Sequence, residues 1–345
     1  MTAMLRSRQF WISFAVTLAV CVAGLLVLRG QSDAAKAPAP VARATTVSST
    51  PGPATVSTTR AASAASTTTS AASSTTTSDA AWVDPAALRA SVARVAAASD
   101  AAVGVAVRPL GPGPSLTEGS LQVGTAWSTM KIPVILARYR LAESRHESTG
   151  DLLARVTAAI TESDNAAVLS LFNDIVARLG GVVAASAYVQ QGLRAAGDTD
   201  TVVNTIPPAG GFSTFGQTQW SLTDGLRFFR ALADGCLAPE AGAQEILTLM
   251  GEITPSQRWG LGQARFTDAS VRFKGGWGPD PSGRYLVRQF GVVRGPGGHG
   301  FVVGVIDQPA DGSFASGISV LDRLADAVAH AANPATAPAS ASCGA

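Results

Sequence analysis

Hydrophobic and polar positions change their pattern several times along this chain. Residues 10–28 form a run of 19 uncharged, mostly apolar residues behind Arg6 and Arg8, long enough to cross a bilayer as a helix with its positive flank kept inside. Residues 31–80 are almost entirely Ala, Ser, Thr and Pro. They lack the large apolar side chains that offset the entropy of ordering a chain, so this stretch predicts a disordered tether. Regular periodicity begins near 81. A branched, apolar strand is expected at 103–108, and helices are expected after Ser128, at 152–160, at 166–179 and at 224–233. Strand-like stretches follow at 270–273, 285–293 and 301–306, then a last helix at 320–332. Residues 333–345 return to the tether composition and predict a loose tail. The pattern implies one α/β (α+β) domain over 81–332. A mostly antiparallel sheet built from the first and last strands is flanked by helices, with an all-α subdomain between about 131 and 250.

Arg29 and Gly30 stand behind the apolar run where a cleavable signal has small residues, so 1–30 reads as an anchor rather than a removed leader. The expected location is the cytoplasmic membrane, single-pass with the domain outside; secretion after cleavage is the alternative. Cys21, inside the apolar run, reads as a membrane-facing side chain rather than a lipid attachment site. Formal net charge is only +2, without a basic cluster, which gives no support to a nucleic-acid partner. His146, His299 and His330 are scattered and no cysteines lie close together, so no metal or other cofactor is expected. A monomer is expected. Cys236 and Cys343 could pair in an oxidising exterior, but sequence does not show proximity.

Charge usage points at chemistry. Of 26 Lys and Arg residues only three are lysine: Lys36 in the tether, and Lys131 and Lys274 in the domain. Lysine can surrender its proton and arginine cannot, so these two positions call for an amine able to act as a base. Lys131 follows Ser128 by three residues at the start of an apolar helical run, a spacing that puts hydroxyl and amine on one face. A plain serine cap with a surface lysine is the bland reading of that pair. Ser163-Asp164-Asn165 falls on a tight connection between two helical stretches, and Lys274-Gly275-Gly276-Trp277 falls at a strand. Singly, these read as a helix cap and a glycine turn.

Taken in order, Ser-x-x-Lys, Ser-Asp-Asn and Lys-Gly-Gly resemble the motif set of class A β-lactamases and penicillin-binding proteins. Arg258-Trp259-Gly260-Leu261-Gly262 and the helix start at Gln219-Trp220-Ser221-Leu222-Thr223 extend the resemblance. It implies a β-lactamase-like serine hydrolase fold, acylated by a β-lactam or a peptidoglycan peptide ending in D-alanine. By the resemblance Ser128 is the nucleophile, Lys131 draws off its proton, and Ser163 passes a proton to the leaving group. Asn165 orients Lys131 and meets the substrate amide, while Lys274 holds the substrate carboxylate. Gly275 and Gly276 belong to the substrate-binding strand, and the oxyanion sits between the N–H groups of Ser128 and Trp277.

Three departures bear on activity. Gly275 replaces the usual hydroxyl residue, the interval from Ser128 to Ser163 is short, and the deacylating Glu-x-x-x-Asn pattern matches only Asp200-Thr201-Val202-Val203-Asn204. Asp200 is therefore the candidate for activating water, one methylene short, with Asn204 as its partner. Acylation is expected to outpace hydrolysis. The rival from another class is a non-catalytic module of the same fold that binds cell-wall peptide or a protein. A literal Gly-x-Gly-x-x-Gly at 295–300 lies between two apolar strands and reads as a hairpin turn, not a dinucleotide site. His299 within it reads as a turn residue, since the chain has no Gly-x-Ser-x-Gly elbow.

Overall fold

Every residue from Val103 to Val107 is buried, as in a strand covered on both faces, and this segment is the heart of the sheet. The structure, a computed structural model, describes residues 82–208 and 211–340. The first elements are α1 (Pro85–Ser99), β1 (Ala102–Pro109), β2 (Leu116–Gly119) and β3 (Val123–Thr125), followed by α2 (Lys131–Ser144), α3 (Leu153–Thr161), α4 (Asn165–Leu179) and α5 (Val182–Ala195). Then come β4 (Gln219–Ser221), α6 (Leu222–Ala233), α7 (Glu240–Met250), β5 (Ser270–Pro279), β6 (Tyr285–Arg294), β7 (Gly300–Gln308) and α8 (Phe314–Ala331). Five strands form an antiparallel sheet in the order β2-β1-β7-β6-β5, and β3 pairs with β4 in a separate ribbon. The expected fold class holds.

Helices α1 and α8 pack together along the sheet. Asp84 starts α1 by accepting from the N–H groups of Ala86 and Ala87, with Pro85 in the first turn where no donor is missed. Helix α6 lies against β1, β6 and β7. There Phe290 of β6 meets Trp220 and Phe229, each with ring centroids 5.1 Å away. Helix α2 is buried along nearly its whole length, Lys131 to Tyr139 and beyond, so it is the central rod of the helical subdomain, with α4, α5 and α7 around it. Pro133 is its third residue, where the missing N–H would have had no partner inside the helix.

The sequence reading needs one correction at the C-terminus. Residues 333–340 are tied to the domain: Asn333 N–H donates to Trp82, Gly111 N–H to Pro338, and Ser340 N–H to Gly298. Ala337 is fully buried. Small residues suffice here because the backbone supplies most of the hydrogen bonds, with Ser340 Oγ donating one more to Asp234 Oδ1 at 2.5 Å. The segment 295–300 is the turn between β6 and β7, and His299 Nδ1 lies 2.7 Å from the Ala337 carbonyl. Among the described residues no single helix is long and apolar enough to cross a membrane. The expected anchor, the tether and Cys343 lie outside the described residues. Cys236 is disulfide-bonded.

Candidate active site

The site is assembled where the start of α2 meets the outer strand of the sheet. Ser128 lies in a 3₁₀ turn, Trp127–Met130, that leads directly into α2. Neither segment has a side-chain cap, so Ser128 is not there to close a helix end. Trp127 holds φ at +50°, a left-handed conformation that a bulky residue adopts only when its surroundings enforce it. The enforcement is visible. Ala126 N–H donates to Thr218 O at 2.8 Å, and Thr129 Oγ1 donates to Ala126 O at 2.6 Å. The fully buried Arg288 of β6 donates to Gly124 O and Trp220 O at 2.9 and 3.0 Å, fastening the β3–β4 ribbon behind the turn.

Strand β5 runs along that turn. At Gly276 a Cβ would stand 2.7 Å from Ala126 O and 3.0 Å from Ser128 N, so only a glycine lets the strand approach the nucleophile's backbone this closely. Trp127 in turn covers Gly278, whose Cβ position is 2.5 Å from the indole. The Ser163-Asp164-Asn165 turn closes the third side. Asp164 caps α4 by accepting from Ala167 N–H at 2.7 Å, and Ser163, at φ +56°, is turned toward the lysines. Cap and site are thus two functions of one tripeptide.

The two lysines converge on a single hydroxyl. Lys274 Nζ donates to Ser163 Oγ at 2.8 Å and to Gly275 O at 3.1 Å. Lys131 Nζ lies 3.3 Å from the same Ser163 Oγ and donates to Asn165 Oδ1 at 2.8 Å and to the Ser163 carbonyl. Lys131 is 2% exposed and Lys274 fully buried. Burial pushes the Lys131 ammonium down to about 7 against the opposing pull of Asp164. It drives Lys274 well below the lysine range, with the charge of Lys131 adding to the effect. A buried amine of this kind is a base at neutral pH.

A cleft of about 340 Å³ opens on Ser128, Ser163 and Asn165, and Trp277 of β5 forms part of its wall. The predicted residues Ser128, Lys131, Ser163, Asn165, Lys274, Gly275, Gly276 and Trp277 are therefore brought together. Lys274 reaches the cleft through Ser163 Oγ, not by facing it. Solved structures share the architecture that carries these residues. The TLA-3 extended-spectrum β-lactamase superposes with a TM-score of 0.60 at 14% identity, over 72% of this chain and 98% of that one. The fold is that of the class A β-lactamases. A putative class A β-lactamase, PenP, from Rhodopseudomonas palustris gives 0.57 at 20% identity over 71% and 99% of the two chains. A class A β-lactamase from Mycobacterium abscessus gives 0.55 at 17% over 70% and 98%. No family model and no curated protein matches the sequence.

Within this β-lactamase-like fold two predicted residues stand elsewhere. Asp200 is exposed and lies in a separate surface pocket with Gln219, Asp224 and Arg227. The loop is organised by its neighbour Asp198, fully buried, which accepts from the N–H groups of Asp200 and Thr201 and from Trp220 Nε1. With Asp198 turned inward, Asp200 points out. Asn204 Nδ2 donates to the carbonyls of Ile206 and Thr214, so it braces its own loop and does not line the cleft. The sequence reading missed Phe212, Leu169 and Tyr285 of the cleft wall. Only the proximity of aromatic residues to the motifs, as with Trp127 beside Ser128, hinted at such a wall.

Proposed function

We propose that this chain is an extracytoplasmic serine hydrolase that accepts acyl groups on Ser128 from β-lactams or D-alanyl peptides and releases them slowly. The observation that carries the reading is Ser163 Oγ shared between two buried amines, 3.3 Å from Lys131 and 2.8 Å from Lys274, in a cleft that also opens on Ser128. Lys131, neutral over part of the physiological range, takes the Ser128 proton as the hydroxyl attacks the carbonyl. Ser163 hands a proton to the departing group and is resupplied by the amines behind it. Asn165 holds Lys131 in place, and the oxyanion lies at the Ser128 and Trp277 N–H groups along β5.

Slow release follows from what the cleft lacks. Among the described residues no carboxylate lines it, and Asp200, the one candidate, faces another surface. Water reaching an acyl-Ser128 therefore has only the amine and hydroxyl groups to activate it. The anchor at 10–28 and a location outside the cytoplasmic membrane complete the proposal. Incubation with a fluorescent penicillin tests the chemistry: a stable adduct is expected in the intact protein and none in Ser128→Ala. Rapid consumption of the penicillin without a trapped adduct contradicts slow release. Absence of any Ser128-dependent adduct favours a non-catalytic binding module.

A further inference from the structure

The cleft wall is built for a neutral guest. Its apolar lining comes from Trp127, Leu169, Phe212, Trp277, Pro279 and Tyr285. Its polar lining is confined to hydroxyl, amide and backbone groups of Ser128, Ser163, Asn165, Ser213 and Thr214 and the neighbouring glycines. Among the described residues no Arg, Lys, His, Asp or Glu side chain lines it. Both amines behind Ser163 are sealed, at 2% and 0% exposure, with hydrogen bonds to protein acceptors.

The strand position beside the cleft tells the same story. A Cβ on Gly275 would stand 3.0 Å from Trp259 Cη2 and 3.7 Å from Trp277 Cζ3. Trp259 is 4% exposed and wedged edge-on against Trp277 and Phe314, at 5.6 and 6.2 Å between centroids. Trp277 stacks on Phe314 at 5.5 Å, and Tyr285 adjoins the same phenyl ring. A hydroxyl side chain at 275, able to hold an anion, would need Trp259 to give by a few tenths of an ångström, and Trp277 and Phe314 both pack against that indole. The missing hydroxyl is thus one face of a continuous aromatic shelf that ends in the cleft wall at Trp277 and Tyr285.

We infer that this shelf selects neutral acyl donors, esters or amides carrying an aromatic or aliphatic group beside the scissile carbonyl, over donors that carry a carboxylate there. The inference rests on acylation of Ser128 as proposed above and, within that chemistry, ranks neutral donors ahead of the carboxylate-bearing β-lactams and D-alanyl peptides. In the step concerned, a bond forms between Ser128 Oγ and the carbonyl carbon as the bond to the leaving oxygen or nitrogen breaks. The Ser128 proton passes to Lys131, the leaving group takes a proton from Ser163, and water later cleaves the acyl-serine. An anionic group on the shelf would forfeit its hydration without meeting a cation at the cleft surface, whereas an apolar group gains by burial.

The test compares para-nitrophenyl hexanoate with mono-para-nitrophenyl adipate, which differ in a terminal methyl against a carboxylate, alongside fluorescent penicillin. Acylation of full-length protein is followed by the nitrophenolate burst and by the mass of the peptide containing Ser128. The hexanoate is expected to acylate at least about 10-fold faster per unit concentration than the adipate, the scale of one charge-assisted contact. Phe212→Ala, at a half-exposed position, is expected to lower that ratio. Equal or faster acylation by the adipate ester or by penicillin overturns the inference and leaves the acyl-enzyme reading standing. If no reagent acylates Ser128 in protein that still melts cooperatively, the acyl-enzyme reading falls, and the inference with it.

Discussion

Lys131 is the residue on which reactivity turns. Its ammonium is held down to about 7 by burial, so the neutral base gains population as pH rises through that value. Acylation by penicillin is therefore expected to increase from pH 5.5 toward a plateau above about 8, with its midpoint near the depressed value. Lys131→Arg keeps a cation but cannot give up its proton, and is expected to slow labelling by about 100-fold or more at every pH, the usual share of general-base catalysis. A stopped-flow pH profile of both proteins checks this. The chemistry was legible at this scale because lysine is so rare in the chain. Where arginine serves nearly every other cationic position, Lys131 and Lys274 stand out, and both meet at Ser163. Asp200 misled for an equally specific reason. Spacing from Asn204 counts residues but says nothing of which carboxylate a loop turns inward, and Asp198, with three N–H donors and complete burial, takes that role.

At the level of elements, the nucleophile depends on how closely a strand can lie against a turn. A methyl at 276 would meet Ala126 O at 2.7 Å and the N–H groups of Thr129 and Ser128 at 2.9 and 3.0 Å, all backbone atoms that cannot swing aside. Gly276→Ala is expected to push the Ser128 turn off β5 by a few tenths of an ångström to about 1 Å. Such a shift lowers acylation about 100-fold while circular dichroism stays unchanged. Retained labelling at the native rate would show that the oxyanion site does not require this contact. Helices α1, α5 and α7 and strand β2 were not singled out from sequence; the longer strands of the sheet and the remaining helices were readable from periodicity, β1 and α2 most clearly because their apolar runs are long. The β3–β4 ribbon was not, since strands of three residues each carry no period. The cleft wall was hidden too, because Phe212, Leu169 and Tyr285 come from different segments that only the fold brings together.

The whole molecule carries a buried carboxyl that its chemistry does not use. Asp307 of β7 is fully buried with neither oxygen hydrogen-bonded, and burial pushes its pKa up to about 9 against the weak opposing pull of Arg323. A carboxyl raised in the folded state favours the protonated form there. Its handicap is absent below about pH 4, grows as pH climbs, and levels off above about 9. Asp307→Asn is expected to match the native protein in thermal stability near pH 4 and to exceed it increasingly toward pH 8. The upper bound is about 4 kcal/mol at pH 7. A constant gap across that range would show that Asp307 is not the titrating group. The architecture of the sheet was legible from sequence, yet the anchoring of 333–340 was not, because most of its bonds are made by the main chain. Sealing the domain's two lysines also has a practical consequence. With Lys131 at 2% and Lys274 at 0% exposure, amine-directed conjugation finds no ε-amino handle on the folded 82–340 unit. Dyes, cross-linkers or resins coupled through lysine would leave the enzyme-like face untouched.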